Sequence, residues 1–228
     1  MKKLSIIVPV YNEINTLEII IKKLVNLKLY NDIDKEIIII DDCSSDGSSQ
    51  IIKKYEKNFD FIKAHFKEKN KGKGDSQKIA KKLVTGDYII IQDADLEYDP
   101  EDINKLLKIA IEDKKNFVIG HRIMKTTIRH PYFFFRELAV NSLTFLLNIL
   151  YGTSIKDCAC CYRLFTYELW KNIDGKADEF EYDFSMINQL IKRTKNIGQI
   201  EIDYSNRSFA EGKKNTWIVG IYALKRII

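Results

Sequence analysis

The chain has 228 residues, 45% of them hydrophobic and 11% aromatic, which is enough apolar material for one large core and too much for a disordered chain. Its net charge is +5, from 37 basic and 32 acidic residues. That mild excess lacks the strong basic stripe duplex nucleic acid calls for, and it suits anionic small molecules or a membrane surface.

From the N-terminus, Leu4 to Val10 is a β-branched run that predicts a strand, ending in a turn at Tyr11-Asn12-Glu13. Leu17, Ile20, Ile21, Leu24 and Leu27 then recur at helical spacing, with Asn15 or Thr16 as the cap. Glu36 to Ile40 predicts a second buried strand that ends at Asp41-Asp42, and Cys43 to Ser49 is turn and cap chemistry. A helix is expected from Ser48 to Lys57 and a shorter strand from Phe59 to Phe66. Lys67 to Asp75 reads as a basic, glycine-bearing loop. Gly72 and Gly74 lack the Gly-Lys-Ser/Thr that would make it a P-loop. Ser76 to Val84 is expected to be helical.

Tyr88 to Gln92 reads as a strand that starts as an uninterrupted apolar run, the mark of a parallel strand covered on both faces. It ends in Asp93-Ala94-Asp95-Leu96-Glu97. Open α/β sheets bind ligands beyond the carboxyl ends of their strands, and alternate residues of an extended segment point the same way. Asp93 and Asp95 therefore share a direction, with Glu97 as a third oxygen donor. Hard cations such as Mg2+ or Mn2+ want such oxygens and bridge them to substrate phosphates. A helix from Pro100 to Glu112 and a strand from Phe117 to Gly120 follow. Strand and helix alternate to this point, which predicts an α/β fold with a mainly parallel central sheet.

The second part is less regular. His121, Arg122, Arg129 and His130 fall in an expected polar loop. Phe133 to Tyr151 reads as a long helix, either core-packed or lying on a membrane surface. Asp157 to Phe165 is expected to turn into a short strand, Phe184 to Arg193 to be helical, and Ile197 to Tyr204 to be a strand. Asn206 to Asn215 is a basic loop, and Trp217 to Ile228 an amphipathic helix. Cys43, Cys158, Cys160 and Cys161 show no zinc-site spacing and read as small buried thiols. The apolar part of the N-terminus is short for a signal peptide, and no run reaches the length that spans a bilayer. The expectation is a reducing cytoplasm, with any membrane contact peripheral.

Acidic or polar groups thus end the strands at Tyr11-Asn12-Glu13, at Asp41-Asp42 and at Asp93 to Asp95, and loops supply Lys73, Arg122, Arg163, Arg207, Lys213 and Lys214. Carboxylates alone would repel a phosphate. Two anionic groups about 4 Å apart repel by roughly 4 kcal/mol at an effective dielectric of 20, and a bridging cation reverses that sign. The set describes a diphosphate site with electrophilic help to a phosphate leaving group.

With these motifs in view, the chain resembles the family-two glycosyltransferases of the GT-A fold, in the branch that includes dolichyl-phosphate mannose synthase and the polyprenyl-phosphate glycosyltransferases. The resemblance rests on Ser5 to Glu13, Asp41 to Gly47, Asn70 to Gly74, Gln92 to Pro100, Gly120 to Arg122, Cys161 to Phe165, and Arg207 with Glu211 to Lys214. It implies a single glycosyltransferase domain over 1–228, with a nucleotide-binding half at 1–121 and an acceptor-side half at 122–228. Pro9, Tyr11, Asn12, Glu13, Asp41, Asp42, Lys73, Gln92, Asp93 and Ala94 would hold the nucleotide sugar, closed over by Arg207 and Lys213. Asp95 would be the main ligand of a Mg2+ or Mn2+ ion, helped by Asp93 and Glu97. Arg122, Arg136 and Arg163 would face an acceptor phosphate, and Asp157 is the candidate polar group for orienting it or for catalysis.

The implied reaction is an inverting transfer of a hexose, from a donor of the GDP-mannose or UDP-glucose type, to a polyprenyl or dolichyl phosphate. A hydroxyl acceptor would need a catalytic base. A nucleotide-sugar-binding protein without turnover is a reading from another class. The chain departs from its relatives at His121, where they usually carry Ser, at Ser185, where they often carry Glu, and at Val219, where they often carry Asp. The donor half keeps its pattern and the acceptor half has drifted.

Overall fold

A computed structural model describes residues 2–124, 131–173 and 181–205. In chain order the elements are β1 (Lys3–Val10), α1 (Leu17–Asn26), β2 (Asp34–Asp41), α2 (Ser48–Asn58), β3 (Ile62–Phe66), α3 (Gly72–Ala80), β4 (Tyr88–Ile91), α4 (Asp102–Glu112), β5 (Phe117–Met124), α5 (Pro131–Tyr151), β6 (Arg163–Thr166), α6 (Tyr167–Trp170), α7 (Glu181–Arg193) and β7 (Ile197–Tyr204).

The strands form one sheet in the order β3-β2-β1-β4-β6-β5-β7. β1, β2, β3 and β4 pair in parallel, and β5 pairs in parallel with β7. β6 lies antiparallel between β4 and β5. The expected mainly parallel α/β sheet is present. Its central strands are the isoleucine runs: Ile6, Ile7, Ile37 to Ile40 and Ile89 to Ile91 are all buried, as both-face coverage by helices requires. α1 lays Leu17, Ile20, Ile21 and Leu24 into this core, and α4 adds Ile103, Leu106 and Leu107.

Local expectations fail where tertiary partners outweigh local polarity. The glycine-bearing stretch before Ser76 is already helical, because α3 starts at Gly72, where φ is 86°. The Asp42 carboxylate takes the amides of Lys71 (2.9 Å) and Gly72 (2.7 Å), so a residue from a neighbouring strand end caps this helix. The polar residues after Gly120 are strand, not loop, because β5 pairs with β7 through Met124. Gly120 itself is required by space: a Cβ there would meet Ile202 Cδ1 at 2.4 Å. The short helix α6 was not expected from the sequence.

Candidate active site

The parallel strands β1, β2, β4, β5 and β7 all end at one edge of the sheet. Because β6 runs the other way, it begins at that same edge. Residues 157–162, which lead into β6, are therefore delivered beside the ends of β4 and β5. The strand order reverses between β1 and β4, the switch point at which open α/β sheets form crevices, and this edge brings together groups far apart in sequence.

At the end of β4, Asp93 accepts the Lys73 ammonium at 2.6 Å. Asp183, in the first turn of α7, takes the same ammonium at 3.2 Å and the Gln77 amide nitrogen at 3.2 Å. Burial works against the Lys73 charge, but Asp183 and Asp93 hold its pKa well above the usual lysine range. Burial raises Asp183 as well, and Lys73 and Arg163 outweigh it, so that carboxyl stays below its usual value. Asp183 was not singled out from sequence. Its only signal was an acidic residue in Phe180-Glu-Tyr-Asp183, at the start of a helix.

The loop after β4 is braced from beneath. Gln92 is completely buried, its Nε2 donates to the Asp93 carbonyl at 3.0 Å, and its Oε1 accepts the Tyr162 hydroxyl. Gln92 was expected to touch the nucleotide; it is instead an internal brace. Ala94 is likewise buried. Asp95 Oδ1 accepts the Glu97 amide at 3.1 Å, which closes a turn in which Leu96 has φ 62°. Glu97 Oε2 accepts the Tyr204 hydroxyl at 2.6 Å. The expected convergence of Asp93, Asp95 and Glu97 on one cation is not what the structure shows. Asp93 is turned to a lysine and Glu97 to a tyrosine, and among the described residues no group of three or more His, Cys, Asp or Glu side chains is gathered to hold a metal. Mg2+ is commonly held through one or two carboxylates plus substrate phosphates and water, so the oxygen donors at Asp95 fit it without a protein cage.

At the ends of β1 and β2, Asn12 has φ 53°, and its Oδ1 accepts the Ser45 amide at 2.9 Å. The Glu13 amide donates to Ser48 Oγ at 3.1 Å, and Tyr11 is exposed. Pro9 lies on β1 opposite Ile40 of β2. Asp41 is buried, with its oxygens on the Ser44 amide (3.0 Å) and the Ser49 hydroxyl. Asp42 is buried and paired to Lys67 at 2.5 Å. The two carboxylates expected to meet the donor thus bind the loops that shape this edge.

On the other side of β4, Arg122 closes a fork on Asp157, Nε to Oδ2 at 2.6 Å and Nη2 to Oδ1 at 2.8 Å. The Arg122 amide also reaches Oδ2 at 3.3 Å and the Ala159 amide reaches Oδ1 at 3.0 Å. Burial opposes the Asp157 charge, yet Arg122 beside it holds its pKa below the usual carboxylate range. Arg163, expected to face an acceptor phosphate, is 1% exposed. Its Nη1 donates to the Asp183 carbonyl at 2.6 Å and Nη2 to the Cys158 carbonyl at 2.9 Å. Its planar fork is engaged by the backbone of α7 and of the loop before β6, so its place is in the wall of the site. His121 pairs through Nε2 with Glu201 at 3.3 Å, and Ser185 Oγ accepts from Gln189 at 3.4 Å. Burial pushes the Cys160 thiol up to about 12 and raises the Cys161 thiol as well, so both stay protonated. Cys158 and Cys160 are buried as expected, whereas Cys161 is only partly buried and Cys43, in the polar turn after β2, is exposed. The Arg136 side chain, Arg207, Lys213 and Val219 lie outside the described residues.

A model of glycosyl transferase family 2 matches residues 5–173. Among curated proteins, the chain is 28% identical over 216 residues to an undecaprenyl-phosphate 4-deoxy-4-formamido-L-arabinose transferase of Yersinia enterocolitica, covering 93% of this chain and 63% of that protein. It is 26% identical over 215 residues to the transferase of the same description from Serratia proteamaculans, with the same coverage. The chain thus spans less than two thirds of the length of these relatives. Among solved structures, glucosyl-3-phosphoglycerate synthase from Mycobacterium tuberculosis, in complex with Mg2+ and uridine diphosphate, superposes with a TM-score of 0.74 at 17% identity. That match covers 99% of this chain and 79% of the synthase, and it establishes the likeness of fold.

Proposed function

Because the chain belongs to glycosyl transferase family 2, we propose that it transfers a sugar, with inversion, from a nucleotide-diphosphate sugar to a polyprenyl phosphate. The observation that carries this reading is the Arg122–Asp157 fork. A hydroxyl acceptor needs a carboxylate base near the anomeric carbon. Asp157 has both oxygens engaged and a depressed pKa, which makes it a poor base. Asp183 is tied to Lys73 in the same way. A lipid phosphate is already an anion at neutral pH and needs no base. Arg122 uses two of its five N–H groups on Asp157, and a guanidinium fixed in this way is suited to phosphate oxygens.

In this reading the edge from Tyr11 to Glu13, with Lys73 and Asp93, receives the nucleotide, and Asp95 would hold a Mg2+ or Mn2+ ion. When bound, that ion supplies charge stabilisation to the diphosphate leaving group. The protein's own residues orient the donor at the ends of β1 and β4 and the acceptor phosphate at the end of β5. The donor is a hexose nucleotide of the GDP-mannose or UDP-glucose type. The relatives' named sugar, a formamido-arabinose, is the second donor to try.

In this reading α5 touches the cytoplasmic face of the membrane. Among the described residues no helix is long and apolar enough to cross a bilayer. α5 buries Leu143 and Leu147 and leaves Leu138, Phe145 and Ile149 exposed at helical spacing, as a helix lying in the headgroup region would.

The test is a screen of labelled nucleotide sugars, with Mn2+ and a short polyprenyl phosphate, that follows transfer and hydrolysis separately. Transfer to the phosphate supports the reading. Transfer to a saccharide or protein hydroxyl with none to the phosphate overturns it, as does nucleotide binding without any turnover.

A further inference from the structure

Tyr204 closes β7 and is 4% exposed. Its hydroxyl donates to Glu97 Oε2 at 2.6 Å, in the loop that carries Asp95. The next residue, Ser205, donates its amide to the Glu97 carbonyl at 3.1 Å, so β7 and this loop are tied twice at one point. The Tyr204 ring has a separate set of contacts. It lies against the Tyr98 ring with centroids 5.1 Å apart, and Tyr98 stacks on Tyr162 at 4.9 Å. The Arg122 guanidinium carbon stands 5.1 Å from the Tyr204 centroid. The plane of Arg122 is therefore set from two sides, by Asp157 through its fork and by the face of Tyr204 through cation–π attraction.

We propose that Tyr204 is a positioning residue with two separable actions: its hydroxyl holds the carboxylate loop on the donor side, and its ring holds Arg122 on the acceptor side. The assignment of sides rests on the function proposed above; the two contacts do not. The physical content is preorganisation. A loop and a guanidinium that are already fixed lose less freedom when substrates arrive.

Two variants separate the actions. Tyr204→Phe removes the hydroxyl and keeps the ring; Tyr204→Leu removes both. The readouts are calorimetric affinity for UDP and GDP with Mn2+, the KM for a short polyprenyl phosphate, and the melting temperature. Tyr204→Phe is expected to weaken Mn2+-dependent nucleotide binding roughly fivefold to tenfold, the loss of about one hydrogen bond, with the acceptor KM unchanged. Tyr204→Leu is expected to show that loss and also to raise the acceptor KM roughly tenfold.

Equal nucleotide affinity in Tyr204→Phe and wild type overturns the proposal. So does a rise of both constants in both variants that merely follows their loss of melting temperature, since that is a core defect. A wild-type protein that binds nucleotide but transfers nothing to polyprenyl phosphate overturns the function proposed above, while the Tyr204→Phe affinity still decides the role of the hydroxyl. A wild type that binds neither UDP nor GDP overturns both.

Discussion

Lys73 and Asp93 meet at 2.6 Å although one stands in the first turn of α3 and the other beyond the end of β4. Asp183 completes the contact from α7 at 3.2 Å, so a single ammonium stands between two carboxylates from different elements. Lys73→Met should leave the partly buried Asp93 without its cation and the buried Asp183 with only Gln77 and Arg163 to meet its charge. Removing one partner of a buried pair costs about 3–5 kcal/mol, or a fall of roughly 10 °C in melting temperature. The loss should be smaller at pH 5 than at pH 8, because the stranded carboxyls can then take up protons. Thermal denaturation of both proteins across that range checks the direction; an equal loss at both values would mean that the charges are met by other groups.

Asp95→Asn keeps the shape of the side chain and its turn to the Glu97 amide, and removes the negative charge. Divalent-dependent binding of a nucleoside diphosphate should fall at least tenfold, with metal-free binding little changed. Titration calorimetry with and without Mn2+ measures both. Equal affinity in mutant and wild type with Mn2+ present would remove Asp95 from the cation site.

Arg122 and Arg163 should separate in their effects, although both were read from sequence as acceptor groups. Arg163 is buried on two backbone carbonyls. Arg163→Ala should therefore act through folding, by about 3 kcal/mol or more for two charge-assisted hydrogen bonds. Arg122→Ala should lower transfer to a lipid phosphate tenfold to a hundredfold, about 1.5 to 3 kcal/mol, and leave slow hydrolysis of the nucleotide sugar nearly intact. Denaturant melts of both variants, paired with transfer and hydrolysis rates, distinguish the two. If hydrolysis falls with transfer in Arg122→Ala, the residue serves the donor.

Glu36 offers a stability test at the opposite end of the sheet. It is 1% exposed and accepts from Ser5 Oγ (2.6 Å), Lys3 Nζ (2.9 Å), and the amide and hydroxyl of Thr85 (2.6 and 2.9 Å). Burial opposes its charge, but these donors together bring its pKa down to about 2, from an ordinary 4.5. A depressed carboxyl stabilises the fold fully above its unfolded value, and the contribution is lost as pH falls from about 4.5 toward 2. Glu36→Gln should cost about 3 kcal/mol at neutral pH. Its stability curve should meet that of the wild type near pH 2, as urea unfolding at a series of pH values would show.

Much of the sheet was legible because isoleucine runs bounded by acidic turns leave little choice of structure, and Ile37 to Ile40 admits no amphipathic pattern. The cluster of carboxylates at one edge was legible for the same reason, since parallel strands must end together. What each carboxylate touches was not. Asp42 looked like a donor-site residue and caps α3, and Gln92 sits in the ligand motif and braces its loop from within. Partners such as Lys73 with Asp183, or Arg122 with Asp157, depend on where the chain returns after long connections. Nothing local in Arg163-Leu-Phe-Thr166 says that this strand runs against its neighbours, and that direction decides what Arg163 can reach.

The antiparallel strand also has a consequence for the order of assembly. β4 and β5 have no direct pairing; β6 lies between them on both ladders. During synthesis from the N-terminus, β1 to β4 can close on one another while residues 163–166 are still unmade. β4 then presents an unpaired edge, and β5 has nowhere to add. Only when β6 emerges can the second group of strands be sewn to the first. The carboxylate loop after β4 therefore waits until residue 166 has left the ribosome, and until then its hydrophobic strand is the place where a nascent chain would recruit a chaperone or a second copy.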